Sequence, residues 1–136
     1  DLCVAAALAR EMHPLTVQLS LDGRDLTAEF LLLEILNIRR AGPGVELAAH
    51  ANPADGRFDV VSATSRQRNR LWRTLQARLK DQSKGHQLTT RRARHVRFVV
   101  AAPCNMRVDD STVSLAAQTA IDITVRRDAL EFLLPG

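Results

Sequence analysis

Short runs in which apolar and polar residues alternate limit the possible folds of this chain more than any other feature. The clearest run is Leu15–Leu21, LTVQLSL, in which every second residue is apolar. Such alternation is typical of a β-strand with one buried face. Asp22 and Gly23 follow directly, and an Asp-Gly pair between two strand-like runs is a strong signal for a hairpin turn. The sequence therefore predicts an antiparallel hairpin at this point.

Further strand patterns follow along the chain, with turn signals between them. The second hairpin strand is predicted from Asp25 to about Ile38, and its centre is continuously apolar, as expected for a strand covered on both faces. The other predicted strands are Val45–Ala51, Phe58–Thr64, Ala93–Ala101, Asn105–Val108, Val113–Leu115, Ile121–Val125 and Leu130–Leu134. Many short strands at near-regular spacing predict an antiparallel sandwich or barrel. We predict one mainly β domain over residues 1–136, a β-sandwich of antiparallel strands.

Two helices interrupt the strand pattern. The first, Leu2–Met12, has helical spacing and is ended by Pro14. The second covers residues 65–81, with Ser65 as the predicted N-cap. Its leucines recur every fourth residue and form an apolar stripe, which we expect to pack on the core of the domain rather than to enter a membrane.

The basic residues are concentrated in one block. Residues 66–97 carry eleven Lys and Arg side chains and a single acid, Asp81. Such a block predicts a polyanionic neighbour: anionic lipid head groups, nucleotide phosphates or nucleic acid. A solvated basic face is the alternative. The chain has only four Phe, one Trp and no Tyr, and this scarcity of stacking side chains argues against binding to single-stranded nucleic acid.

The sequence also allows a prediction of the cellular compartment. No apolar run reaches the roughly 18 residues that a membrane span requires. Leu2–Leu8 lacks the basic start and the cleavage site of a signal peptide. Cys3 and Cys104 are too few for a disulfide scaffold and too far apart for a local zinc site, so we expect reduced, structural thiols. These features predict a cytoplasmic protein, soluble or peripheral at the inner face of the membrane.

Candidate catalytic chemistry is sparse. The chain contains neither GxxxxGK[ST] nor GxGxxG, the glycine-rich patterns that bind nucleotide phosphates. Two acidic spots remain: Asp55 with Asp59, and the adjacent pair Asp109 and Asp110. Neighbouring carboxylates can bind a hard cation or shift each other's pKa, and they can equally form a polar turn. The residues alone therefore leave the reaction open.

Several motifs, taken in order, resemble a known family. They are EILNIRRAGPG (34–44), VELAAHANPADGRFDV (45–60), the basic amphipathic helix (65–81), the basic strand start (91–96), VDDS (108–111) and ALEFLLP (129–135). This series resembles the C-terminal domain of bacterial lipid kinases of the diacylglycerol kinase family, which are relatives of the sphingosine kinases. The resemblance extends from the first helix to Pro135.

The resemblance implies a two-domain kinase of phospholipid metabolism. An N-terminal domain with a GGDGT-type loop would bind ATP, and this β-sandwich would form the other wall of the cleft where lipid and nucleotide meet. The chain begins at Asp1 without an initiator Met, so we expect a fragment whose partner is its own N-terminal kinase domain. Asn37, Arg39 and Arg40, in the basic loop, are the residues implied to bind phosphate or lipid.

A magnesium site is also implied by the resemblance. The Asp of the PxDG turn binds Mg²⁺ in the family, together with two backbone carbonyls. In this sequence these ligands are the Asp55 side chain and the carbonyls of Asn52 and Arg57. Mg²⁺ prefers oxygen ligands and keeps several waters, so three protein ligands are chemically reasonable. Gly56 would permit the sharp turn.

The sequence departs from the family at VDDS. Where the family has a Glu that accepts the proton of the lipid hydroxyl, this chain has Ser111. A serine hydroxyl is too weak a base for that task. Asp109 and Asp110 are therefore the candidate catalytic carboxylates, displaced by one or two residues.

Three functions are compatible with the sequence. The leading hypothesis is the C-terminal domain of an ATP- and Mg²⁺-dependent diacylglycerol or lipid kinase, whose isolated chain is expected to be inactive. The second, motivated by Ser111, is a non-catalytic homologue that binds lipid or an anionic membrane surface. The third is a nucleic-acid-binding module, which we consider unlikely because aromatic residues are scarce. Exposed edge strands would also permit a homodimer.

Overall fold

The structure, a computed structural model, describes residues 13–36, 56–79, 88–108 and 111–124. Its first element is the predicted hairpin, formed by β1 (Leu15–Leu21) and the short β2 (Arg24–Asp25). Asp22 and Gly23 occupy the turn with φ angles of 50° and 84°. Positive φ at both central residues is typical of a type I′ turn, one of the two turn types whose twist matches that of the strands in a two-residue hairpin. The predicted hairpin turn is confirmed. The second strand, predicted from Asp25 to about Ile38, is divided: the hairpin strand ends at Asp25, and a separate strand begins at Ala28.

The main sheet is antiparallel throughout. Besides β1 and β2 it contains β3 (Ala28–Leu36), β4 (Phe58–Thr64), β5 (Thr89–Ala93), β6 (His95–Val100) and β9 (Ala120–Thr124). The strand order is β5-β4-β3-β1-β6-β9, and β2 pairs with the end of β1. A separate hairpin is formed by β7 (Cys104–Val108) and β8 (Ser111–Leu115).

One face of the main sheet packs against the β7–β8 hairpin. Most of the buried side chains on this face come from alternate positions of β1 and β6, as the sequence pattern predicted. They are Val17, Leu19, Leu21, Val96, Phe98 and Val100, and Leu115 joins them from the hairpin. Cys104 and Met106 of β7 pack against the same cluster. The described part is thus a mainly β, sandwich-like arrangement, which confirms the predicted fold class.

The opposite face is covered over β3 and β4 by a helix. A 3-10 turn (Ser65–Gln67) leads into helix α1 (Arg68–Leu79). Leu71 is buried, and Trp72 and Leu75 pack with it on a second apolar cluster of the sheet, formed by Leu31, Leu36, Val61, Ala63 and Leu88. The central strand β3 is therefore covered on both faces, as its continuous apolar run predicted. The apolar stripe of α1 packs on the core, and that prediction is confirmed too.

Other predictions need correction. The N-cap is Thr64, one residue before the predicted Ser65, and its backbone N–H donates to Gln67 Oε1 at 3.0 Å. The predicted strand Ala93–Ala101 is β6 alone, because the chain bends at Arg94 between two strands. β5 was not predicted. The predicted helix Leu2–Met12 and the predicted strands Val45–Ala51 and Leu130–Leu134 lie outside the described residues.

Candidate ligand-binding cavity

A cavity of about 780 Å³ lies between the main sheet and the β7–β8 hairpin. Its size falls within the range of small-molecule sites, roughly 300–1,000 Å³. Most of the side chains that line it are apolar. They include Phe30, Phe58, Phe98, Met106, Leu115, Ile121 and Ile123. Such a lining favours a ligand with hydrocarbon surface, because burial of each CH₂ group contributes about 0.8 kcal/mol.

The cavity reaches the sheet where β3 separates from β1. These two strands pair only from Ala28 to Phe30 of β3. Within the described part of the chain, the remainder of β3 has a partner strand on the β4 side alone. A register irregularity between Phe30 and Leu32 marks the point of separation. Leu31–Ile35 line the cavity at this open edge.

Charged and polar side chains interrupt the apolar lining. They are Glu34 of β3, Asn105 and Arg107 of β7, and His13 before β1. Glu34 is the cross-strand partner of Val61, and Val61 packs under α1. Because cross-strand partners point to the same face of a sheet, Glu34 lies on the helix side of β3. It borders the cavity at the open edge of this strand. Asn105 Oδ1 accepts a hydrogen bond from Ser114 Oγ at 3.2 Å, across the hairpin.

Glu34 differs electrostatically from an exposed glutamate. Burial raises its carboxyl pKa above the ordinary value, because desolvation penalises the charged form. The positive charge of Arg107 acts in the opposite direction and lowers the pKa of Glu34 in part. The two side chains, from distant parts of the sequence, therefore act on each other electrostatically at the cavity.

The residues proposed from the sequence fall largely elsewhere. Asn37, Arg39 and Arg40, the ligands Asn52 and Asp55, and the pair Asp109 and Asp110 lie outside the described residues. Of the predicted metal ligands only Arg57 is described, and its side chain is exposed. Gly56 before it has a φ of 71°, a left-handed backbone angle that suits glycine, and the rest of the predicted turn lies outside the described residues. In the described part of the chain, no group of three or more His, Cys, Asp or Glu residues could hold a metal ion.

The orientation of Asp59, which the sequence left open, is now defined. Asp59 is 3% exposed, and its Oδ1 lies 3.4 Å from Arg92 Nε on the neighbouring strand. Its carboxylate therefore forms a cross-strand ion pair beneath the helix side of the sheet. Ser111, at the position of the family's Glu, is exposed at the start of β8.

Sequence reasoning missed both charged residues of the cavity. A signal for Glu34 was present, because it is the one charged residue inside the run FLLLEIL of β3. A charged side chain within a strand that is buried on both faces calls for a partner or a function. Arg107 carried no comparable signal, since an arginine in a hairpin strand is ordinary.

These features define a class of protein: a β-sandwich-like domain with an apolar cavity beside its central strand. The sequence matches the family described as the YegS C-terminal NAD kinase beta sandwich-like domain over residues 2–133. The chain belongs to this family. A search of curated proteins gave no match.

Solved structures with the same fold are also known. One, a candidate diacylglycerol kinase from Bacillus anthracis str. Sterne, has 15% sequence identity and a TM-score of 0.66, with 89% of this chain and 42% of that chain covered. Another, a diacylglycerol kinase from the same strain, has 13% identity and a TM-score of 0.63, with 91% and 42% covered. This chain thus spans about two fifths of the length of each structure, and at such identities the likeness concerns the fold alone.

Proposed function

We propose that this chain is the lipid-binding domain of an ATP-dependent lipid kinase-like protein and that its cavity holds the hydrocarbon chain of the substrate. The observation that carries this proposal is the cavity of about 780 Å³ with its mostly apolar lining. Family membership supports a role in a lipid kinase-like protein. The reaction proposed for the whole protein is transfer of the γ-phosphate of ATP to a lipid hydroxyl, as in a diacylglycerol kinase.

The division of labour in this proposal follows from phosphoryl-transfer chemistry. Such enzymes act mainly by positioning the reactants and by neutralising phosphate charge. This chain would hold the lipid and, through Asn37, Arg39 and Arg40, contact phosphate. Bound Mg²⁺, held by Asp55 and by the carbonyls of Asn52 and Arg57, would supply charge neutralisation. ATP itself would be bound by a separate N-terminal domain, so the chain alone is expected to phosphorylate no lipid.

A second candidate function is lipid binding without catalysis. The observation that favours it is Ser111, an exposed hydroxyl at the position where the family has its Glu. Asp109 and Asp110 remain the proposed substitutes for that carboxylate. An assay of lipid phosphorylation by a full-length protein distinguishes the two candidates. A lipid kinase should be active, and Asp109→Asn or Asp110→Asn should lower that activity, whereas a non-catalytic homologue should show none.

The membrane surface is a further proposed partner. Arg70 and Arg73 of α1 and Arg66 of the preceding 3-10 turn are exposed, where they could contact anionic head groups. In the part of the chain that the structure describes, no helix is long and apolar enough to span a bilayer. We propose peripheral binding to an anionic surface, from which lipid would enter the cavity.

The cavity proposal can be tested with the thiol of Cys104, which lines the cavity and is partly buried. The sequence has two cysteines, so Cys3→Ser leaves Cys104 as the only reactive thiol. A long-chain alcohol, added below its micelle concentration, should slow alkylation of Cys104 by N-ethylmaleimide. The matched control is Cys3→Ser/Cys104→Ser/Asn69→Cys, with its thiol on the exposed side of α1, where the alcohol should have no effect. Equal alkylation rates at Cys104 with and without the alcohol would overturn the proposal.

A further inference from the structure

Strand β5 lies at one end of the strand order of the main sheet. Among the described strands it pairs with β4 alone. An edge strand directs the N–H and C=O groups of alternate residues away from its sheet, at the spacing that a further strand requires. Within the part of the chain that the structure describes, β5 is therefore a template on which an extended polypeptide segment can form an additional strand.

The charge of β5 determines which segments fit this edge. Its sequence, TTRRA, contains two arginines and no acid, and Arg94 follows directly. Arg91 is the cross-strand partner of Val60, which belongs to the cluster on the hairpin side, so Arg91 lies on that face of the sheet. Arg92 lies on the helix side, where it is paired with Asp59. Arg91 and Arg94 are exposed. The edge thus presents positive charge to an approaching strand.

A second copy of this chain does not suit the edge. In an antiparallel pairing through β5, arginines of one copy would lie opposite arginines of the other, and like charges that face each other across two strands are destabilising. Charged residues protect edge strands from self-association in this way. Anionic lipid and nucleic acid supply negative charge, but they lack alternating donors and acceptors at the spacing of a strand. An acidic polypeptide segment supplies both.

We propose that the outer edge of β5 binds an extended, acidic segment of a partner protein by strand addition. Backbone hydrogen bonds to β5 provide the affinity, and acidic side chains opposite Arg91 provide the selectivity. The inference goes beyond the proposed function, because the site is a strand edge and not the lipid cavity. The same arginines that keep two copies apart thus attract a partner of opposite charge.

The test compares three short, fluorescently labelled peptides by polarisation. In the first, Glu and Thr alternate, and threonine favours an extended strand. In the second, prolines replace some of the threonines, which preserves the charge but removes N–H donors and so prevents strand pairing. In the third, Lys replaces Glu. The first peptide should bind roughly tenfold more tightly than the second, the value of one or two backbone hydrogen bonds, and the third should not bind.

Substitutions then assign the binding to β5. Arg91→Glu should weaken binding of the first peptide roughly tenfold, because a favourable cross-strand charge pair becomes a repulsive one. The same variant should bind the lysine peptide. Arg24→Glu, at an exposed arginine of β2, makes the same change of charge away from β5 and should leave the affinity for the first peptide nearly unchanged. Thermal melting confirms that both variants are folded. In the parent chain, the bound peptide should also slow amide hydrogen exchange within Thr89–Ala93.

Three results would overturn the inference. Equal affinities for the first and second peptides would mean that the chain attracts acidic peptides by charge alone, without strand addition. Failure of the first peptide to bind would mean that the edge is not a docking site for such a segment. Tighter binding of duplex DNA, weakened by Arg91→Glu, would assign this edge to nucleic acid instead. None of these results affects the proposed lipid cavity, which is tested separately through Cys104.

Discussion

Asp22 and His95 are joined by a reciprocal pair of hydrogen bonds. The Asp22 carboxylate accepts the backbone N–H of His95 at 2.8 Å, and the backbone N–H of Asp22 donates to the His95 carbonyl at 3.0 Å. The same carboxylate accepts the N–H of Arg94 at 3.0 Å. The turn between β1 and β2 is thereby fixed to the bend between β5 and β6, more than 70 residues further along the chain.

We predict that Asp22→Ala lowers the free energy of unfolding by roughly 1–3 kcal/mol. The substitution removes the carboxylate that accepts hydrogen bonds from two backbone N–H groups. It also places alanine at a φ of 50°, a left-handed backbone conformation that alanine, unlike aspartate, cannot stabilise with a side-chain hydrogen bond. Asp22→Asn should cost less, because asparagine tolerates this backbone and keeps one acceptor oxygen. Asp22→Gly separates the two effects, since glycine removes the backbone cost but not the lost acceptor. Urea denaturation of the three variants measures these differences.

Glu34 should make stability depend on pH. Its pKa is raised in the folded state above the ordinary value of 4.5, so the folded chain holds this proton more tightly than the unfolded chain. Stability therefore falls as the pH rises above that value and Glu34 becomes charged. We predict that Glu34→Gln increases the free energy of unfolding near neutral pH and has little effect at about pH 4.

The control for this prediction is Glu29→Gln, on an exposed side chain of the same strand. Urea denaturation of both variants at the two pH values should show a pH-dependent gain for Glu34→Gln alone. A Glu34→Gln variant that is less stable than the parent at neutral pH would mean that the Arg107 charge outweighs the desolvation of Glu34, which contradicts the prediction.

The difference between what the sequence predicted and what it missed follows from the range of the interactions. The β1–β2 hairpin and β4 were predicted because alternation and turn residues are local. β5, TTRRA, shows no such alternation, since it lies at the edge of the sheet in the described part of the chain, with only Ala93 buried. Edge strands are often short and charged. The position of β5 is set by its antiparallel pairing with β4, which no local sequence pattern indicates.

The cavity depends on packing between distant segments. It exists because β3 separates from β1 after Phe30 and because the β7–β8 hairpin lies across the resulting space. Neither feature has a local signature in the sequence. Family motifs pointed to Asp55, Arg39 and the other proposed residues, but they gave no indication that Glu34 and Arg107 line the same cavity.

The basic side of α1 leads to a prediction on membrane binding. We expect the chain to bind vesicles that contain anionic lipid and to bind neutral vesicles weakly, with added salt reducing the binding. At about 1 kcal/mol per basic residue near the surface, Arg70→Gln should weaken binding roughly fivefold. Arg24→Gln, an exposed arginine of β2 outside the basic block, is the control. Vesicle sedimentation measures both, and equal binding to neutral and anionic vesicles would contradict the prediction.

The last prediction concerns the turn that the sequence predicts before β4. Gly56 has the left-handed backbone, with a φ of 71°, that a sharp turn at this position needs. We predict that Mg²⁺ binds here, with the Asp55 carboxylate as the one charged ligand. With few protein ligands and several retained waters the affinity should be weak. Asp55→Asn should abolish the heat of Mg²⁺ binding in calorimetry while the fold is retained, because asparagine can still close the turn.

Asp59 supplies the matched control, four residues further along the chain. Its carboxylate is buried and paired with Arg92, so it should take no part in metal binding. Asp59→Asn is expected to lower stability, since it weakens a largely buried ion pair, yet to leave the affinity for Mg²⁺ nearly unchanged. If Asp59→Asn reduces Mg²⁺ affinity as much as Asp55→Asn does, while both variants remain folded, the metal is not held by the Asp55 turn. If the unmodified chain binds no Mg²⁺, Asp55 is an ordinary turn residue.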